Sequence, residues 1–179
     1  MSADTLALFR QKLIERRLPL FGSFIKTPSP HSIEILGTLG FDFVVIDAEH
    51  APIDRGAMDM LLLAARAANI PALVRVRELS APDILAALDD GATGVLVPHI
   101  DSVEKARQLV AYCRYDGARG FSNSPRAGNY GARSMWSHVD ACDSEVTVIA
   151  MIEDEAGVDA IDDIVRVPGL DGVFVGRGD

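Results

Sequence analysis

The chain alternates short apolar runs with longer stretches in which apolar residues recur at helical spacing. The runs at 20–25, 43–46, 71–76, 94–97, 146–152 and 172–175 are nearly continuous in Val, Ile, Leu, Ala and Phe. Such runs predict strands buried on both faces rather than strands with one wet side. Between them the apolar spacing predicts helices over 4–17 (Asp4 as cap), 30–39 (stopped by Gly40), 55–68, 81–88, 103–113 and 155–165. Residues 115–140 follow neither period and are expected to be irregular. Strict strand–helix alternation predicts a parallel sheet covered by helices.

Strand starts recur every 22–28 residues, apart from the gap that spans 115–140. A βα-barrel of about 250 residues uses ~31 residues per unit. The expected class is therefore α/β, a (β/α)8 TIM barrel of which this chain covers about the first six βα units. Residues 1–179 are read as a single barrel domain apparently lacking its C-terminal units, because the chain stops where a sixth helix should begin. An open doubly wound sheet is the competing arrangement.

Composition narrows the function. The 179 residues are 49% hydrophobic and 24% charged, as in an ordinary globular domain. Lys and Arg number 17 against 26 Asp and Glu, a net charge of −9, which argues against nucleic-acid binding. Cys113 and Cys142 sit in no CxxC or Cys/His cluster and read as idle thiols. No apolar run approaches the ~20 residues that span a bilayer, and no leader-like segment opens the chain. A cytoplasmic protein with no membrane partner is expected.

The chemistry gathers after the strands. Glu153 follows the run 146–152, and Asp179 follows 172–175 by way of Gly176-Arg-Gly. Two carboxylates at neighbouring strand ends, without nearby Cys or His, favour a hard divalent cation. The same acids would equally serve as caps of the helices that follow. The run 43–46 ends in Asp47-Ala-Glu-His50. An Asp three residues before a His can orient an imidazole for general-base work. Glu49 would give support beside them. Arg75 closes the third strand and is placed to stabilise an oxyanion or to meet one of the many acids, with Arg77 expected on the same face. His99 adjoins the fourth strand but is not expected to be catalytic. His31 and His138 read as surface or cap residues. Arg119, Arg126 and Arg133, among the glycines of 115–140, are placed for a substrate carboxylate or a neighbouring subunit.

Several segments together resemble the HpcH/HpaI family of class II pyruvate aldolases. These are Gly40-Phe-Asp-Phe-Val-Val-Ile-Asp-Ala-Glu-His-Ala-Pro52, Val74-Arg-Val76, Asp89-Asp-Gly-Ala92, Gly94-Val-Leu-Val-Pro98, Gly117-Ala-Arg-Gly120, Met151-Ile-Glu153 and Gly172-Val-Phe-Val-Gly-Arg-Gly-Asp179. The family includes aldolases for 4-hydroxy-2-oxo-heptanedioate and for 2-dehydro-3-deoxy-sugar acids. The resemblance covers nearly the whole chain. It implies a metal, Mg²⁺, Mn²⁺ or Co²⁺, held by Glu153 and Asp179. It gives Arg75 the keto and enolate oxygen of pyruvate, and His50 with Asp47 a proton transfer through water. Asp89 matches an acid that completes the site from a neighbouring subunit, and hexamers are implied for the full-length chain.

Two positions depart from the family pattern. Met151 stands where many members carry a substrate-positioning Gln, and a thioether donates no hydrogen bond. Gly178 stands where relatives often have Ala or Ser, and its amide could still meet a pyruvate carboxylate. The resemblance implies reversible cleavage of a 4-hydroxy-2-oxo acid to pyruvate and an aldehyde. A lyase of CoA thioesters and a non-catalytic barrel subunit are the alternatives. A Schiff-base route is disfavoured, since only Lys26 stands near a strand end.

Overall fold

A computed structural model describes residues 3–15 and 18–177. Six parallel strands form one sheet: β1 (Gly22–Ile25), β2 (Phe43–Asp47), β3 (Ala72–Arg75), β4 (Gly94–Val97), β5 (Thr147–Ile152) and β6 (Gly172–Val175). They pair in the order β1-β2-β3-β4-β5-β6. This sequential order excludes the doubly wound arrangement, in which strand order reverses. The sheet also curls. Phe24 of β1 and Phe174 of β6, on its two edge strands, bring their rings to 5.8 Å. The result is a partial barrel.

Helix α1 (Ala3–Glu15) precedes β1, and α2 (Pro30–Thr38), α3 (Arg55–Ala67), α4 (Ala81–Asp89) and α5 (Val103–Cys113) follow β1 to β4 in turn. The clearest of them is α3. Asp54 caps it by accepting from the Ala57 amide at 2.8 Å. It buries Met58, Leu61, Leu62, Ala64 and Ala65, one face at helical spacing. These residues pack on the outward side chains of the strands, such as Val44, Ile46, Val74 and Val95, in the main core.

The inward side chains form a second, smaller core. Val45, Leu73, Leu96 and Met151 meet Phe9, which α1 inserts among them. Arg10 anchors that helix to Asp171, just before β6, at 2.7 Å. The inward face is thus mostly apolar along the strands, Thr147 at the start of β5 excepted, and gathers its charged groups at their C-terminal ends.

Three expectations are corrected. The segment 115–140 is not wholly irregular. It holds a 3₁₀ turn (Arg126–Gly128) and the start of α6 (Met135–Glu145), whose helical periodicity is weak because it buries little besides His138 and Cys142. His138 is fully buried, not a surface or cap residue. Its ring lies 2.9 Å from the Tyr115 hydroxyl and 3.5 Å from Cys142 Sγ. The helix expected over 155–165 is broken into α7 (Glu155–Asp159) and α8 (Ile161–Ile164), because Ala160 between them leaves helical geometry.

Candidate active site

Where the inward face turns polar, Asp47 and Arg75 meet. They are register partners on β2 and β3, so their side chains emerge side by side. Arg75 donates from Nε to Asp47 Oδ1 at 3.0 Å and from Nη2 to Oδ2 at 2.7 Å. Both residues are buried. Burial alone would raise the Asp47 pKa, but the Arg75 hydrogen bonds, the His50 amide and the nearby cations outweigh it and hold the carboxyl below its ordinary value. Burial likewise works against the Arg75 charge, and Asp47, Glu49 and Glu153 together raise its pKa further.

The third guanidinium nitrogen points elsewhere. Arg75 Nη1 lies 3.2 Å from Glu49 Oε2 and 3.9 Å from Met151 Sδ. Glu49 Oε2 is buried and accepts no hydrogen bond, so its contact with Nη1 is one of charge rather than of aligned donor and acceptor. The ring of Phe24 stands 5.1 Å from the guanidinium carbon. Lys26, just past the end of β1, reaches the same cluster with Nζ 3.4 Å from Asp47 Oδ2.

The pairing expected between Asp47 and the His50 imidazole takes another form. Asp47 Oδ1 accepts from the His50 backbone amide at 3.0 Å and from the Glu49 amide at 3.2 Å. The carboxylate thus shapes the turn that carries His50. The imidazole itself is largely exposed, with Nε2 3.7 Å from Glu49 Oε2.

Glu153 follows β5 with its side chain buried. Its Oε1 accepts from the His99 amide at 2.9 Å. His99 has a left-handed backbone, φ 54°, uncommon for a residue with a side chain. Its Nδ1 lies 3.1 Å from Asp154 and 3.6 Å from Glu153. The hydrogen bond to Asp154, partly opposed by burial and reinforced by Glu153, raises the His99 pKa. Sequence reading noted this residue directly after the fourth strand and gave it no catalytic role.

The surroundings of Glu153 fit a hard cation. The carboxylates Glu153 and Glu49 are oxygen donors of the kind such an ion takes, and both lie close enough to Arg75 and His99 to help raise their pKa values. Just past the neighbouring strand β6, a Cβ on Gly176 would stand 3.2 Å from Glu153 Oε2 and 2.8 Å from the Met151 methyl. The glycine leaves that side of the carboxylate open. Among the described residues no group of three His, Cys, Asp or Glu converges on one point. Gly178 and Asp179, expected as substrate and metal ligands, lie outside the described residues.

Two other expected residues lie apart. Asp89 ends α4 near the N-terminal end of the sheet and pairs with Arg119 at 3.0 Å. Within one chain it is not brought to Arg75. Arg77 lies beyond the end of β3 and is exposed, so it does not share the burial of Arg75. No helix among the described residues is long and apolar enough to cross a membrane.

Similar proteins place this geometry in context. The family model described as HpcH/HpaI aldolase/citrate lyase matches residues 20–179. The chain is 35% identical over 173 residues to a 5-keto-4-deoxy-D-glucarate aldolase of Enterobacter sp. (strain 638), covering 96% of the chain and 66% of that protein. It is 34% identical over 162 residues to a hydroxypyruvate/pyruvate aldolase of Roseovarius nubinhibens, covering 89% and 63%. Among solved structures, an HpcH/HpaI aldolase/citrate lyase family protein from Burkholderia cenocepacia superimposes with a TM-score of 0.89 at 32% identity, over 95% of this chain and 68% of that one. The chain thus spans about two thirds of the length of these relatives. With a matching family model over most of its residues and relatives of this identity, the chain belongs to the HpcH/HpaI aldolase/citrate lyase family.

Proposed function

We propose that the whole protein is a metal-dependent aldolase with a (β/α)8 barrel, cleaving 4-hydroxy-2-oxo acids reversibly to pyruvate and an aldehyde. The observation that carries this reading is the buried Arg75, locked by Asp47 through two nitrogens, with Nη1 turned to Glu49 and Met151 and with Glu153 adding to the field that holds its charge. A cation fixed in this way meets a developing oxyanion without reorganising. The names of the relatives support pyruvate chemistry on a sugar-acid scale.

A divalent cation, Mg²⁺, Mn²⁺ or Co²⁺, would be held by Glu153 and Asp179 and would supply Lewis-acid polarisation of the 2-oxo group. Arg75 Nη1 donates to the 2-oxo oxygen. His50, through a water, accepts the proton of the C4 hydroxyl. The C3–C4 bond then breaks: C4 leaves as the aldehyde carbonyl, and the bonding pair passes into the enolate of pyruvate, whose oxygen faces Arg75. Return of a proton to C3 gives pyruvate. Asp47 holds Arg75 and the His50 turn in place. The Gly178 amide is assigned to the pyruvate carboxylate. Asp89 is assigned to the site of a neighbouring subunit in a homo-oligomer, for which a hexamer is favoured.

The test is pyruvate release from a panel of 4-hydroxy-2-oxo acids by the full-length protein, with EDTA and with added Mg²⁺ or Mn²⁺. Turnover that EDTA abolishes and metal restores is expected. Lys26→Ala should retain turnover. A borohydride-trapped adduct with pyruvate would overturn the metal route in favour of a Schiff base. The family description also covers citrate lyases, so cleavage of a CoA thioester is the second reading. Acetyl-CoA formation without pyruvate release would establish it.

A further inference from the structure

At the end of the sheet opposite Arg75, a cleft of about 250 Å³ opens beside the starts of β4 and β5 and the 3₁₀ turn. Four arginines line it, Arg66, Arg119, Arg126 and Arg133, against one carboxylate, Glu145. Counting also Asp89 and Asp59, which pair with Arg119 and Arg126, the arginines still outnumber the carboxylates, in a chain whose net charge is −9.

Two of the arginines are buried and only partly engaged. The Arg119 side chain is fully buried and the Arg126 side chain is 9% exposed. Arg119 gives Nη2 to Asp89 Oδ1 at 3.0 Å. Arg126 gives Nη2 to Asp59 Oδ1 at 2.7 Å and Nη1 to the Asp90 carbonyl at 2.6 Å. Nε and Nη1 of Arg119 and Nε of Arg126 have no acceptor and are buried. A guanidinium cannot shed its proton, so each donor left without an acceptor carries its full desolvation penalty. The backbone is arranged around this feature. Gly91 has φ +98°, and a Cβ there would stand 3.1 Å from Arg126 Cδ. An acceptor with several anionic oxygens fits the arginine fork better than water or a neutral group. The cleft is smaller than pockets for drug-sized ligands, so the ligand is small.

From these observations we infer that the cleft is a binding site for a small oxyanion, carrying a phosphate or carboxylate group, held by Arg119, Arg126 and Arg133. Within one chain it is separate from the site at the strand C-termini, and it does not rest on the aldolase reading. The test is calorimetric titration of the full-length, EDTA-treated protein at fixed ionic strength, with inorganic phosphate and, separately, malonate. One anion per chain should bind. Arg126→Gln and Arg133→Gln should each weaken it at least about tenfold, the loss expected for a charge-assisted hydrogen bond. Lys26→Ala, at the catalytic end, should leave it unchanged. Arg133 is only part-buried and has little packing to lose, so its variant keeps the test valid if Arg126→Gln fails to fold. Preference between phosphate and malonate identifies the headgroup. No binding of either anion overturns the inference, as does binding that Arg133→Gln leaves intact or Lys26→Ala abolishes.

Discussion

Each end of the sheet buries an arginine against an aspartate, and the two pairs are built differently. At the C-terminal end Arg75 meets Asp47 through two nitrogens, and its third faces Glu49 and Met151. At the N-terminal end Arg119 meets Asp89 through one nitrogen and stacks on Tyr115 at 4.4 Å, with its other two donors unanswered. A two-point pair on adjacent strands fixes direction as well as charge. A one-point pair leaves two buried donors without an acceptor. The same residue type therefore serves as a fixed electrostatic element at one end and as an open receptor at the other.

The largest break in this comparison is Arg75→Ala. It removes the oxyanion donor and strands a buried Asp47 charge, so turnover should vanish and stability should fall by about 3–5 kcal/mol. Urea denaturation of the full-length protein measures the second effect. Arg75→Lys should rescue little turnover, because an ammonium cannot reproduce the two-point geometry. A double-mutant cycle sharpens the contrast. The coupling energy of Arg75 with Asp47 should exceed that of Arg119 with Asp89 by roughly 1 kcal/mol or more. Equal couplings would show that the number of hydrogen bonds is not what separates the two ends.

Smaller effects should follow at Met151 and in acid. Met151→Gln places an amide beside Arg75 Nη1, where the thioether makes only a 3.9 Å contact. It should lower KM for the 2-oxo acid by up to about tenfold, the worth of one added hydrogen bond, with a lesser change in kcat. Asp47 has a depressed pKa, so its contribution to stability is present above its unfolded value and is lost as pH falls through the folded one. The urea midpoint should drop as pH falls below the ordinary carboxylate range, and Asp47→Asn should flatten that part of the profile. The smallest effect is at the thiols. Burial pushes Cys113 up to about 12 and raises Cys142, so neither should react with a disulfide reagent in the native protein near neutral pH.

Much of this was legible in the chain. Runs such as 43–46 and 94–97 could only be buried parallel strands, and the strand ends pointed to Asp47, Arg75 and Glu153. The pairing of Asp47 with Arg75 was not legible, because it depends on the register of β2 against β3, which periodicity does not set. His99 was noted beside the fourth strand, but its link to Glu153 was not legible because it runs through a backbone amide. His138 was misplaced because α6 is weakly amphipathic, and nothing local reveals that Tyr115 covers the ring. Asp89 was found by resemblance alone, and only the course of α4 shows that it belongs to the other end of the sheet.

The order of the strands has a consequence for how the chain comes together. Every strand pairs only with its neighbours in sequence, so each βα unit can dock on the one before it without waiting for a distant partner. Loop closure then stays short at every step but one, the long passage from β4 to β5 through 115–140, and short closures are the fast ones. During synthesis, Asp47 would be held by no guanidinium until β3 arrives with Arg75. Docking of the third strand is therefore the moment at which the catalytic end acquires its fixed charge, well before the residues that follow β5 exist.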